Sequence, residues 1–94
     1  MNIYYVNLFD YYGDLFTDKQ KEYFIDYYFN NLTLQEIAEN NDVSRNAVHK
    51  NIKDITKKLE HYESKLNLYE NKNKIKKLIE NIDEDTKQQI EELI

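Results

Sequence analysis

The sequence predicts an all-α chain: a helix-turn-helix domain followed by a long C-terminal helical extension. Three observations carry this. Proline is absent and glycine occurs once in 94 residues, whereas sheet-rich domains need turn residues at short intervals. Two helix starts, at Thr33 and Ser44, lie only eleven residues apart with a turn between them. From Val48 onward the apolar residues repeat at alternating steps of four and three, which is a helical stripe.

Taken in order, Tyr5, Leu8, Phe9 and Tyr12 share one face of a first helix over Asn2 to Tyr12. Asn2 is placed to cap its start and Gly13 to end it. Thr17 with Gln20 forms a capping box that opens a second helix from Asp18 to about Phe29, with Tyr23 or Phe24 and then Tyr27 and Tyr28 on its apolar side. Asn30 and Asn31 close it. The tyrosines of these two helices read as core, with hydroxyls at the wet edge, in preference to base-stacking groups.

Thr33 and Glu36 form another capping box, so the third helix runs from Leu34 to Asn40, with Leu32 and Ile37 in staple positions. Asn41 and Asp42 tolerate the left-handed backbone of a sharp turn. Ser44 then caps a fourth helix, flanked by Val43 and Val48 as a second staple. This is a helix-turn-helix, whose second helix is the one presented to the DNA major groove.

The stripe Val48, Ile52, Ile55, Leu59, Tyr62, Leu66, Tyr69 keeps a 3.5-residue repeat, which favours supercoiling against a partner helix. A helix from Ser44 to Tyr69 would be roughly 39 Å long, more than a small domain covers by itself. Leu59, Tyr62, Leu66 and Tyr69 are therefore the expected dimer interface, with a tail folded back as the other way to bury them. A bend is expected between Asn71 and Asn73, where the next apolar set, Ile75, Leu78, Ile79 and Ile82, falls out of phase. Asp83 to Asp85 open a last piece containing Ile90, Leu93 and Ile94. The expected division is residues 1–58 as the helix-turn-helix domain and 59–94 as a helical extension for dimerisation or fold-back.

The fourth helix carries the candidate site. With Val48 and Ile52 inward, Arg45, Asn46, His49, Lys50 and Lys53 lie on the other face. Arg45 has the planar fork that reads guanine O6 and N7, and Asn46 the amide that reads adenine N6 and N7. Ser44, Lys50 and Lys53 are placed for phosphates. Charge follows the same map. Residues 1–43 hold two bases and eight acids, net −6; residues 44–65 hold six and three, net +3; residues 66–94 hold five and seven, net −2. The one basic segment begins at the proposed recognition helix, as a phosphate-binding footprint requires.

The stretch LTLQEIAENNDVSRNAVHKNIK, Leu32 to Lys53, resembles the helix-turn-helix of region 4 of bacterial sigma factors. Together with LFDYYGDLFTDKQKEYFIDYYFN, Leu8 to Asn30, and LEHYESKL, Leu59 to Leu66, it resembles the YlxM family of small bacterial proteins over roughly the first two thirds of the chain. The resemblance implies a winged-helix-like or sigma region 4-like fold and a DNA-binding regulator, linked through the placing of its genes to the signal recognition particle pathway. Asp42 stands where helix-turn-helix proteins often have glycine, and sets an anion near the groove-facing side.

Several classes are excluded. Without cysteine there is no disulfide framework or thiolate zinc site, and two separated histidines, His49 and His61, make no metal site. The acids Asp10, Asp14, Asp18, Glu22 and Asp26 are a face and not a cleft; with no glycine-rich phosphate loop and no nucleophile beside a base, an enzyme is not expected, nor is any cofactor. No apolar run reaches the roughly 18–20 residues of a membrane span, and the amino terminus lacks a basic region followed by an apolar one, so a cytoplasmic protein without membrane insertion is expected. The expected partners are double-stranded DNA, a second copy of the chain, and a protein of the signal recognition particle pathway. The rival reading is a protein-interaction adaptor that keeps the helix-turn-helix as scaffold without binding DNA.

Overall fold

The structure is a computed structural model and describes residues 2–94. Six α-helices follow in order: α1 (Ile3–Tyr12), α2 (Asp18–Tyr28), α3 (Leu34–Asn41), α4 (Arg45–Leu66), α5 (Leu68–Leu78) and α6 (Glu84–Leu93), with a 3-10 turn at Gly13–Leu15. No strand occurs among the described residues.

The helix starts are where side-chain chemistry puts them. Asn2 Oδ1 accepts from the Tyr4 N–H at 3.1 Å. Reciprocal bonds close the capping boxes Thr17–Gln20 and Thr33–Glu36, and Ser44 Oγ accepts from the Ala47 N–H at 3.1 Å. Asp83 Oδ2 accepts from the Thr86 N–H at 2.9 Å, which holds that carboxyl below its usual range because the bond favours the charged form.

Gly13 ends α1 for a different reason from the one expected. Its backbone is right-handed, φ −55°, so no left-handed cap forms and the chain tightens into the 3-10 turn. A Cβ there would lie 3.1 Å from the Phe9 ring. A side chain at this position would press on that ring.

The core lies between α1, α2, α3 and the whole length of α4. Leu8, Tyr12, Phe24, Ile37, Ala38, Val48, Ile55 and Leu59 are essentially inaccessible. Phe9 stacks on Phe24 with ring centroids 4.1 Å apart, and Phe24 meets Tyr28 at 4.5 Å. Tyr5, Tyr11, Tyr27, Tyr28 and Tyr62 pack around this cluster half-buried, which makes the tyrosines structural.

The C-terminal half departs from expectation in four respects. The continuous helix to Tyr69 ends at Leu66, and the chain turns at Asn67, whose left-handed backbone (φ 53°, ψ 29°) breaks the heptad before its last member; the bend expected between Asn71 and Asn73 does not form, those residues lying inside α5. The seam expected to need a second copy is filled from within. Leu59 is 0% exposed, and Tyr62 sits 6.0 Å from both the Tyr12 and Phe16 rings. Tyr69, now on α5, meets the Tyr4 ring at 6.0 Å; Leu66 alone of the four is half exposed. The physical reason is that α1 carries its own apolar stripe and lies along α4. The boundary expected at 58/59 accordingly falls inside α4, with Leu59 in the same core as Val48.

A candidate nucleic-acid interface on the fourth helix

The turn that aims α4 is built from three local choices. Asp42 is left-handed (φ 53°, ψ 45°), and its N–H reaches the Ala38 and Glu39 carbonyls. The Val43 N–H donates to Ala38 O at 3.0 Å. These bonds satisfy the last carbonyls of α3 in a Schellman arrangement, with Asp in the place glycine usually takes. Asn41 Nδ2 donates to Ile37 O at 2.8 Å, and Lys19 Nζ donates to Asn41 Oδ1 at 2.9 Å, tying the end of α3 to α2. Ser44 then restarts the helix.

Along α4 the inward stripe is Val48, Ile52 and Ile55, all buried against Ile37, Ala38 and the aromatic cluster. The other side is open. Ser44, Arg45, Asn46, His49, Lys50 and Lys53 are all exposed. Among the described residues, the ion pairs are Lys19–Glu22, Lys21–Asp14 and Lys74–Glu70; Arg45, Lys50 and Lys53 take no part in them. By contrast Asn51, one turn further on, spends its amide on Ala47 O at 2.9 Å. Arg45 also borders an open cleft of about 590 Å³ with Tyr27, Asn31 and Thr33.

Electrostatically, the start of α4 suits an anion. Its first turn holds no acid, so the positive end of the helix dipole is not neutralised and adds to Arg45. From Ser44 to Lys53 there are three bases and no acid; Asp42, exposed on the turn, opposes them. Three acids of the preceding segment are engaged elsewhere: Asp14 of the 3-10 turn pairs with Lys21 at 3.2 Å, Glu22 of α2 pairs with Lys19 at 3.2 Å, and Asp26 of α2 accepts from Asn30 Nδ2 at 3.1 Å. No group of three or more His, Cys, Asp or Glu among the described residues is arranged to hold a metal.

One functional-looking carboxylate escaped the sequence reading. Glu63, a carboxylate on a helix that is otherwise charged on its outer side, is 8% exposed. It accepts from the Tyr12 hydroxyl at 2.6 Å and from the N–H groups of Tyr69 and Glu70 at 3.2 and 2.9 Å. Asn67 makes no side-chain cap for α5, so Glu63 supplies it, a carboxylate at a helix N-terminus. Its role is to hold the α4–α5 corner. The signal available was an acid four residues before a lone Asn in an otherwise unbroken stripe, a combination too common to single out. Glu60 in turn accepts from the Tyr5 hydroxyl, tying α1 to the exposed side of α4.

Compared with known proteins, the chain matches over residues 1–94 the model of the UPF0122 family, described as "Putative helix-turn-helix protein, YlxM / p13 like". A UPF0122 protein of Fusobacterium nucleatum is 45% identical over 89 residues, covering 94% of this chain and 86% of that protein. One from Malacoplasma penetrans is 58% identical over 59 residues, covering 63% of this chain and 55% of its own length. One from Bacillus thuringiensis is 45% identical over 94 residues, covering 89% and 86%.

Proposed function

This chain belongs to the UPF0122 family of YlxM-like helix-turn-helix proteins, and from that premise we propose that it is a DNA-binding regulatory protein of the cytoplasm. The N-terminal turns of α4 enter a major groove. Arg45 and Asn46, on the first turn, read base edges; Lys50 and Lys53 neutralise phosphates, Ser44 and the start of α4 take a phosphate, and His49 faces the groove wall. The observation that carries this reading is the side-chain arrangement at the start of α4: Ser44 at its cap and five polar or basic groups on the helix are exposed opposite a buried stripe.

The test is duplex binding followed by fluorescence anisotropy, using genomic fragments selected on the purified protein. Binding falls steeply with salt, as phosphate neutralisation requires, and Arg45→Ala with Lys50→Ala weakens it at least tenfold while the helical signal is retained. No measurable duplex affinity at low salt overturns the proposal.

A second reading is favoured by charge. Residues 1–43 carry a net −6, which repels phosphates at long range and suits a basic protein partner. On that reading the helix-turn-helix is scaffold, the chain is an adaptor, and its partner belongs to the signal recognition particle pathway. Capture of a protein partner that Arg45→Ala with Lys50→Ala leaves untouched, together with absent duplex binding, selects it.

A further inference from the structure

The chain is 53 Å long in its greatest dimension, with a radius of gyration of 16.6 Å, against about 12 Å for a compact domain of this size. The excess lies in α5 and α6, in neither of which is any residue buried. Leu93 and Ile94 share an open cleft with Leu68, Asn71 and Ile75, so the end of α6 returns to the start of α5 and the two form an antiparallel hairpin. Its inner line is half-buried: Lys72 and Ile75 on α5, Lys87, Ile90 and Ile94 on α6, with Ile79 buried where α5 ends.

Two large side chains are left over. Leu78 is 80% and Leu93 86% exposed. At 100° per residue each lies about a quarter turn from its helix's inner line, and because the helices run in opposite directions both point to the same flank. Leu78 points away from the body of the domain, whose Asn7 and Tyr11 line a cleft with Asn73 and Lys76 of α5; Leu93 borders a second cleft with Tyr11 but keeps most of its side chain open to solvent.

Charge on the hairpin is divided by helix. Within α5, four lysines face one glutamate, net +3; within α6, four acids face one lysine, net −3. Glu91 and Glu92 occupy the last turn of α6, which contains no base. Acids there oppose the helix dipole and weaken the helix on its own, which points to a basic surface beyond it.

We propose that this hairpin is a self-association surface, on which Leu78 and Leu93 pack against the same flank of a second copy, with α5 of each chain lying on α6 of the other. At 100° per residue the charges nearest that flank are Lys74 and Lys77 on α5 and Asp85 and Glu92 on α6, so the opposite alignment, α5 on α5, would set lysine against lysine. The twofold arrangement is self-complementary in both shape and sign. It leaves α4 of both copies free, and stands whether or not α4 meets DNA.

The test is sedimentation equilibrium of the full chain at micromolar concentration and low salt. The mass expected is twice the 11.5 kDa of one chain, and Leu78→Asp with Leu93→Asp brings it to that of a single chain without loss of helical signal. Two reversed forms, Lys74→Glu with Lys77→Glu and Asp85→Lys with Glu92→Lys, are each monomeric alone and dimerise when mixed, which a contact within one chain cannot do. A monomeric parent protein overturns the proposal, as does a dimer that both leucine substitutions leave intact or a mixture that stays monomeric.

Discussion

The Tyr12 hydroxyl donates to Glu63 Oε1 at 2.6 Å, and through that bond the end of α1 is locked to the corner between α4 and α5. The same hydroxyl accepts from the Leu68 N–H at 3.2 Å. Two side chains thus satisfy three first-turn N–H groups of α5 that Asn67 leaves open. Tyr12→Phe removes the donor and leaves a buried carboxylate short of one partner, a loss of about 1–3 kcal/mol. For a domain of this size that lowers Tm by roughly 4–8 °C per kcal/mol, measurable by thermal circular dichroism. An unchanged Tm would show that the corner does not depend on the bond.

The pair also sets an alkaline limit. Burial first, and then the bond to Glu63, push the Tyr12 hydroxyl from 10.0 up to about 12. The bond to Glu60 likewise holds Tyr5 at about 12. Below pH 10 both are protonated in folded and unfolded chains and their contribution is intact. Between pH 10 and 12 the unfolded chain loses these protons and the folded one keeps them, so stability falls as pH rises. Urea midpoints taken across that window should decline, and decline less in Tyr12→Phe.

At Leu59 the outcome distinguishes core from interface. The side chain is inaccessible within a single chain, so Leu59→Asp buries an unpaired charge and opens a cavity at a cost of about 4 kcal/mol or more. The chain should lose its cooperative thermal transition at any concentration. A folded monomer carrying this substitution would return Leu59 to a seam between copies.

The cap at Ser44 is separable from the exposed charges of α4. Ser44→Ala removes the acceptor of the Ala47 N–H and should cost about 1 kcal/mol of stability. Lys53→Ala should leave stability within about 0.5 kcal/mol and, on the DNA reading, lower the slope of log affinity against log salt by about 1. Equal effects of the two on stability would contradict the division.

How much of this was legible can be judged helix by helix. Each capped start, at Thr17, Thr33, Ser44 and Asp83, could be read because a cap is a local bond between residues three apart. The exposed face of α4 was legible for a related reason: once Val48 and Ile52 point inward, helical geometry fixes where Arg45 and Lys50 go. The break at Asn67 was not. The apolar stripe continues through it to Tyr69, and a stripe says that a face is buried without saying what buries it. Leu59 and Tyr62 looked in need of a second chain because Tyr5, Leu8 and Tyr12, which share a face in α1, were not matched to them; pairing of faces is a long-range fact. Glu63 was hidden likewise, its partners lying 51 residues upstream at Tyr12 and across the corner.

The left-handed turn at Asp42 has a further consequence. Glycine adopts that backbone without the penalty any Cβ carries, and it would also take a negative charge from the approach to Arg45. On the DNA reading, fold and function thus pull the same way at this position: Asp42→Gly should raise Tm and duplex affinity together. Stability and activity ordinarily trade against each other; on the DNA reading residue 42 escapes that trade, since its substitution changes the grip without replacing any of the proposed base- or phosphate-contacting groups.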